Sequence, residues 1–268
     1  MAAIQDFFFQ HPVFRREELV RHLEAQKGRG LSANTARELL RYHQVRGHLL
    51  AVRRGLYAFV RPGFSPASSP VDTYLVASKG VPDGVLAYHS ALELHGLAYS
   101  TFETIQVVTK RILRTWHFRG IDFRPIKAAQ ALGDEALTLG VQTMDRSGQD
   151  ILVTTPERTF VDVLDRPDLG GGWEEIWRSL EGLSILSFGE VVAYVKRLAN
   201  ATTASRVGYF LEQHRDLLSV DETVLASLER LRPTGVHYMD PREGGHLAQR
   251  WNLIVPDRVA SRRWEEPQ

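Results

Sequence analysis

The chain has 268 residues, no cysteine, and 33 lysines and arginines against 32 aspartates and glutamates. Its 43% hydrophobic and 24% charged content is that of a globular protein, which excludes disorder over the whole length and suits one large domain or two smaller ones. Without cysteine there is no disulfide framework, thiolate zinc site, iron–sulfur cluster or cysteine nucleophile.

No run of about 18 apolar residues is present to span a bilayer. The stretch Met1 to Gln10 contains Asp6 and no basic leader, so a secretory signal is not expected and the cytoplasm is the expected compartment. The balanced charge conceals a split. Residues 1–62 hold eleven basic and five acidic side chains, an excess of six positive charges, which leaves an excess of five negative charges on the other 206. A basic segment acts locally on a polyanion whatever the total.

In chain order, Met1 to Gln10 reads as a short apolar helix closed by His11-Pro12, because proline disfavours helix at the residue before it. Arg16 to Gln26 places Leu19, Val20 and Leu23 at helical spacing. Gly28 and Gly30 end that helix, and Ser32 is the expected N-cap of the next. From there Ala36, Leu39, Leu40 and His43 form one stripe, with Asn34, Arg37, Glu38 and Arg41 on the opposite face. The helix ends near Arg46-Gly47, and two strands follow, Leu49 to Arg53 and Leu56 to Val60, with Arg54-Gly55 at the tip. Three prolines and three serines between Arg61 and Pro70 interrupt any helix or central strand. The expected division is therefore residues 1–62, a linker at 63–70, and residues 71–268.

Helix, glycine turn, basic helix and basic hairpin are the parts of a winged helix-turn-helix. In that arrangement the second helix enters the major groove with its N-terminal residues at the base edges. The expected DNA-binding set is Ser32, Asn34, Thr35, Arg37, Arg41, Arg46, Arg53 and Arg54. Arginine grips guanine with two hydrogen bonds and asparagine does the same at adenine, so Asn34, Arg37 and Arg41 are read as base contacts. Ser32, Thr35, Arg53 and Arg54 are read as phosphate contacts. A small helical bundle with a solvated arginine face is the competing reading.

The segments Ser32 to Leu40 and Val52 to Tyr57 resemble the N-terminal winged helix of AbiEi-type antitoxins. The similarity continues through Leu86-Ala87-Tyr88-His89-Ser90-Ala91-Leu92-Glu93-Leu94-His95-Gly96-Leu97 and Thr154-Thr155-Pro156-Glu157-Arg158-Thr159-Phe160-Val161-Asp162. It covers the chain well to about residue 165 and loosely beyond. The resemblance implies an antitoxin and transcriptional regulator of a type IV toxin–antitoxin system, in phage defence. Its implied partners are the promoter DNA of its own operon and a nucleotidyltransferase-like toxin, with no enzyme activity of its own and no membrane.

Past the linker, Val71 to Lys79 and Val85 to His95 read as helices, the second closed by Gly96. Strands are expected at Thr104 to Thr109, Thr115 to Arg119, Ile121 to Pro125, Thr138 to Met144 and Ile151 to Thr154. Thr155-Pro156-Glu157 is a helix start, with proline in the first turn. Further helices are expected at Trp173 to Leu183, Phe188 to Leu198, Thr202 to Leu218 and Asp221 to Arg230, then a strand at Trp251 to Val255. The fold class is α+β: an N-terminal winged helix, then a larger mixed domain ending in a helical part.

Signs of chemistry in this region are weak. His89 and Glu93 share a helix face, but His95 points elsewhere, and zinc needs three or four ligands. Asp145, Asp150, Glu157 and Asp162 are the residues of a magnesium-dependent nuclease reading, the alternative from a different class. A third reading is an antitoxin acting mainly by touching its toxin. Gly28-Arg29-Gly30-Leu31-Ser32-Ala33 has dinucleotide-binding spacing but follows a helix, not a strand. No cofactor and no metal are expected. Lys110, Arg111 and Arg114 sit in a strand-to-strand turn as further candidates for phosphate contact or plain solvation.

Overall fold

The structure is a computed structural model that describes residues 2–27, 33–183 and 186–264. Gly28, Gly30 and Ser32 of the expected turn and cap lie outside them. The chain starts with α1 (Ala2–Gln10), β1 (Val13–Arg15), α2 (Arg16–Lys27) and α3 (Ala33–Val45), then the hairpin β2 (Leu49–Arg53) and β3 (Leu56–Phe59). Strand β1 is too short to be read from alternation. It pairs antiparallel with β3, Val13 opposite Ala58 and Arg15 opposite Leu56, giving the order β1-β3-β2. Gly55, at φ +79°, makes the hairpin tip, a conformation that costs glycine nothing.

This small sheet is buried on both faces. Along β3, Tyr57 and Phe59 face a cluster built on Phe7, Phe8, Phe14, Leu19, Leu40 and Leu49. Leu56 and Ala58 face the other way and, with Val13, join Leu75, Val81, Ile105 and Phe123 from beyond the linker. Each of these valine, leucine, isoleucine and phenylalanine side chains contributes about 1.5–3 kcal/mol when removed from water, so the segments either side of the linker share a core. The linker itself is tied down. Arg119 donates to the carbonyls of Pro66, Ala67 and Ser69, and the Ser69 hydroxyl accepts the Arg61 N–H at 3.0 Å.

Next come α4 (Thr73–Gly80), β4 (Val85–Leu86), α5 (His89–Leu94), β5 (Thr104–Thr109), β6 (Trp116–Phe118), β7 (Ile121–Lys127), a 3-10 segment (Gln130–Leu137), β8 (Val141–Arg146) and β9 (Gln149–Thr154). They form a six-stranded mixed sheet in the order β6-β7-β5-β4-β9-β8. Helix α4 starts at Asp72, whose carboxylate accepts the N–H of Tyr74 and Leu75 at 3.0 and 3.1 Å. The helix expected over Val85 to His95 is a strand, a sharp turn and a short helix. Val85 and Leu86 pair with β5 on one side and β9 on the other, and Tyr88 turns the chain at φ 56° and ψ −133°. A two-residue strand at the centre of a sheet is apolar throughout, and periodicity cannot separate it from a buried helix.

The remainder is largely helical: α6 (Pro156–Asp165), α7 (Trp173–Leu180), α8 (Phe188–Leu198), α9 (Ala201–Gln213), α10 (Arg215–Leu218) and α11 (Glu222–Glu229). A small sheet of β10 (His237–Tyr238), β11 (His246–Ala248) and β12 (Leu253–Val255) follows, then α12 (Asp257–Ala260). The single helix expected over Thr202 to Leu218 breaks at His214, at φ −109° and ψ 20°, where the ring Nδ1 lies 2.9 Å from the Phe210 carbonyl. Trp173, Trp177, Phe210 and Trp251 form the aromatic centre of this part. The whole is a mixed α/β protein.

Candidate nucleic-acid interface

Helix α3 has the two faces that its sequence spells out. Ala36, Leu40 and His43 are buried, Leu39 is half-buried, and Asn34, Thr35, Arg37, Glu38 and Arg41 are exposed. Arg37 and Arg41, one turn apart, form a wall of a groove of about 380 Å³. Arg16 and Glu17 at the start of α2 and Arg54, Gly55 and Tyr57 of the hairpin line the rest. Four guanidinium groups from three elements thus surround one depression with a single carboxylate. The Arg16 N–H donates to the Gly55 carbonyl at 2.9 Å, which fastens the hairpin tip to α2.

The charge is largely uncompensated. Arg37, Arg41 and Arg54 form no ion pair among the described residues, and Arg16 has a loose one with Glu17 at 3.8 Å. Several arginines past the linker are engaged instead: Arg146 with Asp72, Arg158 with Asp162, Arg197 with Glu135, and Arg250 with Glu212, Glu222 and Glu229. A cation at a helix N-terminus, where Arg16 stands, is disfavoured by the macrodipole by about 0.3–1 kcal/mol. Sequence reasoning missed Arg16 because its place beside Arg54 depends on the β1–β3 pairing.

The expected DNA-binding residues do not all gather here. Arg37, Arg41 and Arg54 do, with Asn34 and Thr35 exposed at the start of the same helix. Arg53 turns to the opposite side of the hairpin and stacks on Trp116, 4.4 Å from its ring centre. Arg46 lies past the end of α3, over the Tyr42 ring at 5.5 Å, and lines a separate depression. Ser32 lies outside the described residues.

The histidines singled out past the linker are bound up in structure. His89 is buried, stacked on Phe102 at 3.8 Å, with Nε2 3.0 Å from Glu175 and Nδ1 3.2 Å from Glu93. Burial opposes ionisation of both carboxyls. It is outweighed by His89, the Tyr74 hydroxyl and the Phe102 N–H at Glu93, and by Ser100 and His89 at Glu175, so both lie below the usual carboxylate range. His95 instead donates to the Thr154 carbonyl at 2.7 Å, so His89, Glu93 and His95 are not assembled around one point.

Nor are the four acids of the nuclease reading. Asp145 and Asp150 are exposed and face each other across β8 and β9, Glu157 accepts the Ser187 N–H, and Asp162 is buried between Arg158 at 3.1 Å and Tyr194 at 2.7 Å. Burial pushes the Asp162 carboxyl up despite Arg158. Among the described residues no group of three or more histidines and carboxylates is arranged to hold a metal ion.

Residues 84–213, from the central sheet to the end of α9, match the family model described as the AbiEi antitoxin C-terminal domain. This part of the chain is thus similar to the C-terminal domain of AbiEi antitoxins. The match takes in the His89 clamp and the Arg158–Asp162–Tyr194 cluster, which hold the AbiEi domain together. AbiEi antitoxins are not an enzyme family.

A crystal structure of the RV2827C protein from Mycobacterium tuberculosis is similar over 97% of this chain and 92% of that one, with a TM-score of 0.61 and 18% identity. At that identity the likeness is one of fold, and it extends over the N-terminal unit as well as the AbiEi domain. No curated protein matches the chain. Among the described residues no helix is long and apolar enough to cross a membrane.

Proposed function

We propose that this chain is a DNA-binding antitoxin of a type IV toxin–antitoxin system, which represses its own operon and counteracts a nucleotidyltransferase-like toxin in the cytoplasm. Residues 1–62 act as a winged helix-turn-helix, with α3 as the recognition helix and β2–β3 as the wing. Residues 63–70 join this unit to the antitoxin part, residues 71–268. The observation that carries the reading is the convergence of Arg16, Arg37, Arg41 and Arg54, nearly free of carboxylate partners, on one groove of a chain with an AbiEi domain.

In this reading α3 enters a major groove about 12 Å wide. Arg37 and Arg41, with Asn34, meet base edges. Arg16 and Arg54 meet phosphates on either side, and the hydroxyls of Ser32 and Thr35 add further contacts. Arg53 and Arg46 drop out of the contact set, since one is held by Trp116 and the other faces elsewhere.

The test is binding of the purified chain to its own promoter against scrambled DNA at two salt concentrations. The expected result is a preference for the promoter that survives the higher salt and disappears in Arg37→Ala/Arg41→Ala. Equal binding to both DNAs, lost together as salt rises, overturns sequence-specific repression, because phosphate contacts alone behave in that way.

A further inference from the structure

Beyond the C-terminal end of α3 lies a second depression, of about 310 Å³, which shares no lining residue with the arginine groove. Its walls are aromatic: Phe9, Phe59 and Phe64, with Phe8 beneath. Phe9 and Phe64 are 59% and 49% exposed, and Phe9 meets Phe59 edge-on at 5.0 Å. Val45 and Tyr42, on the last turns of α3, are 80% and 48% exposed, Tyr42 beneath the Arg46 guanidinium. Large apolar side chains gathered in this way on a surface mark a place that a partner covers.

The rim is cationic. Arg46, Arg61 and His48 line it, and none of its lining residues is acidic. Arg46 contacts the Tyr42 ring, and neither arginine forms an ion pair among the described residues.

These features choose among occupants. A second copy docked by a twofold axis on this face would bring Arg46 and Arg61 against their own equivalents, a like-charge contact that disfavours association. Duplex DNA offers phosphates to the arginines but nothing apolar to fill a phenylalanine-walled depression. A peptide with one aromatic or leucine side chain beside aspartates or glutamates satisfies both parts, the apolar anchor in the depression and the carboxylates on the rim.

We propose that this groove docks an acidic, aromatic-anchored segment of a partner protein. The site is independent of the DNA-binding reading and shares no residue with its groove.

The experiment selects a display library of random twelve-residue peptides on the whole chain, in parallel with a pool of random single-stranded oligonucleotides. Enriched peptides are then measured by fluorescence anisotropy against wild type, Arg46→Glu/Arg61→Glu and Phe64→Ser, with circular dichroism confirming the fold of each. The expected result is a consensus of an aromatic or leucine next to acidic residues. Its affinity should fall at least tenfold in the charge-reversed variant and in Phe64→Ser, while wild-type affinity for the basic-substituted peptide is absent. No enrichment, a consensus without acids, or equal binding to the variants overturns the proposal. So does enrichment of oligonucleotides in place of peptides, or a concentration-dependent dimer in sedimentation that Phe64→Ser abolishes.

Discussion

The Arg53 guanidinium lies 4.4 Å from the centre of the Trp116 ring, and that ring stacks on Phe123 of β7 at 5.0 Å with the planes 6° apart. The hairpin next to α3 is thereby joined to the edge of the central sheet. Gly80 permits the approach: a Cβ there would stand 2.8 Å from the indole. A cation over an aromatic face at a partly exposed site contributes about 0.5–1 kcal/mol. A double-mutant cycle on Arg53→Ala and Trp116→Ala, read by urea unfolding, should return a coupling energy of about that size. A coupling indistinguishable from zero would mean that the two groups are neighbours without being partners.

The same contact separates two adjacent arginines by function. Arg54 lines the groove with Arg37 and Arg41, whereas Arg53 faces the sheet. On promoter DNA, Arg54→Ala should reduce the slope of log affinity against log salt by roughly one unit, the signature of one lost phosphate contact. Arg53→Ala should leave that slope unchanged. If Arg53→Ala flattens it and Arg54→Ala does not, the groove is not the interface.

Much of α3 was legible from its sequence because one amphipathic helix carries its own period. Ala36, Leu40 and His43 face in, and Arg37 and Arg41 face out, as the spacing demands. What depended on distant partners was not legible. Three residues, Val13 to Arg15, become a strand by pairing with β3, and that pairing brings Arg16 to Arg54. Val85 and Leu86 become a strand by lying between β5 and β9. The hairpin hinted at its docking in Leu56 and Ala58, apolar on the face a free wing would turn to water, but without Trp116 in view Arg53 reads like Arg54.

Acid should weaken the fold in two stages. His43 and His214 are held below the ordinary imidazole value of 6.5, chiefly by burial, with His48 acting on the first and Arg262 on the second against a hydrogen bond to the Phe210 carbonyl. The unfolded chain takes up protons below pH 6.5 that the folded chain does not, so their contribution to stability is complete above that pH and declines as pH falls. Glu93 and Glu175, depressed below 4.5, add a loss that begins as pH drops through 4.5. Asp162, raised by burial, works in the opposite direction as one group against four. The urea midpoint should therefore be flat through neutral pH, fall below pH 6.5 and steepen below 4.5, with a separate loss above pH 10, where Tyr74, Tyr88 and Tyr194, raised by burial, resist the ionisation open to the unfolded chain. A midpoint that rises as pH falls below 6.5 would contradict the assignment.

Asp162 accepts from Arg158 at 3.1 Å and from Tyr194 at 2.7 Å in the interior of the AbiEi domain. Asp162→Ala leaves the Arg158 guanidinium buried with the Ala136 and Leu139 carbonyls as its remaining partners. Removing one member of a buried pair costs about 3–5 kcal/mol. Tyr194→Phe deletes one hydrogen bond to the carboxylate and should cost about 1.5–3 kcal/mol. Chemical denaturation of the two variants should keep that order.

Two glycines in helices should respond to alanine with opposite signs. Helix propensity alone favours alanine over glycine by about 1 kcal/mol in a helix interior. At Gly189, in the first turn of α8, a Cβ would meet nothing within 4 Å, so Gly189→Ala should stabilise by about 0.4–1 kcal/mol, chiefly by restricting the unfolded chain. At Gly208, in α9, a Cβ would stand 2.1 Å from the Trp251 ring. That ring cannot move aside: it is fully buried, its Nε1 donates to Glu212 at 2.6 Å, and the Trp251 carbonyl accepts from Ser205 at 2.7 Å. Overpacking a filled core costs typically about 1–3 kcal/mol, and a contact this short places Gly208→Ala at or above the upper end, beyond what propensity returns. Thermal unfolding of both variants decides it, since a Gly208→Ala protein as stable as wild type would show that Trp251 has room to shift.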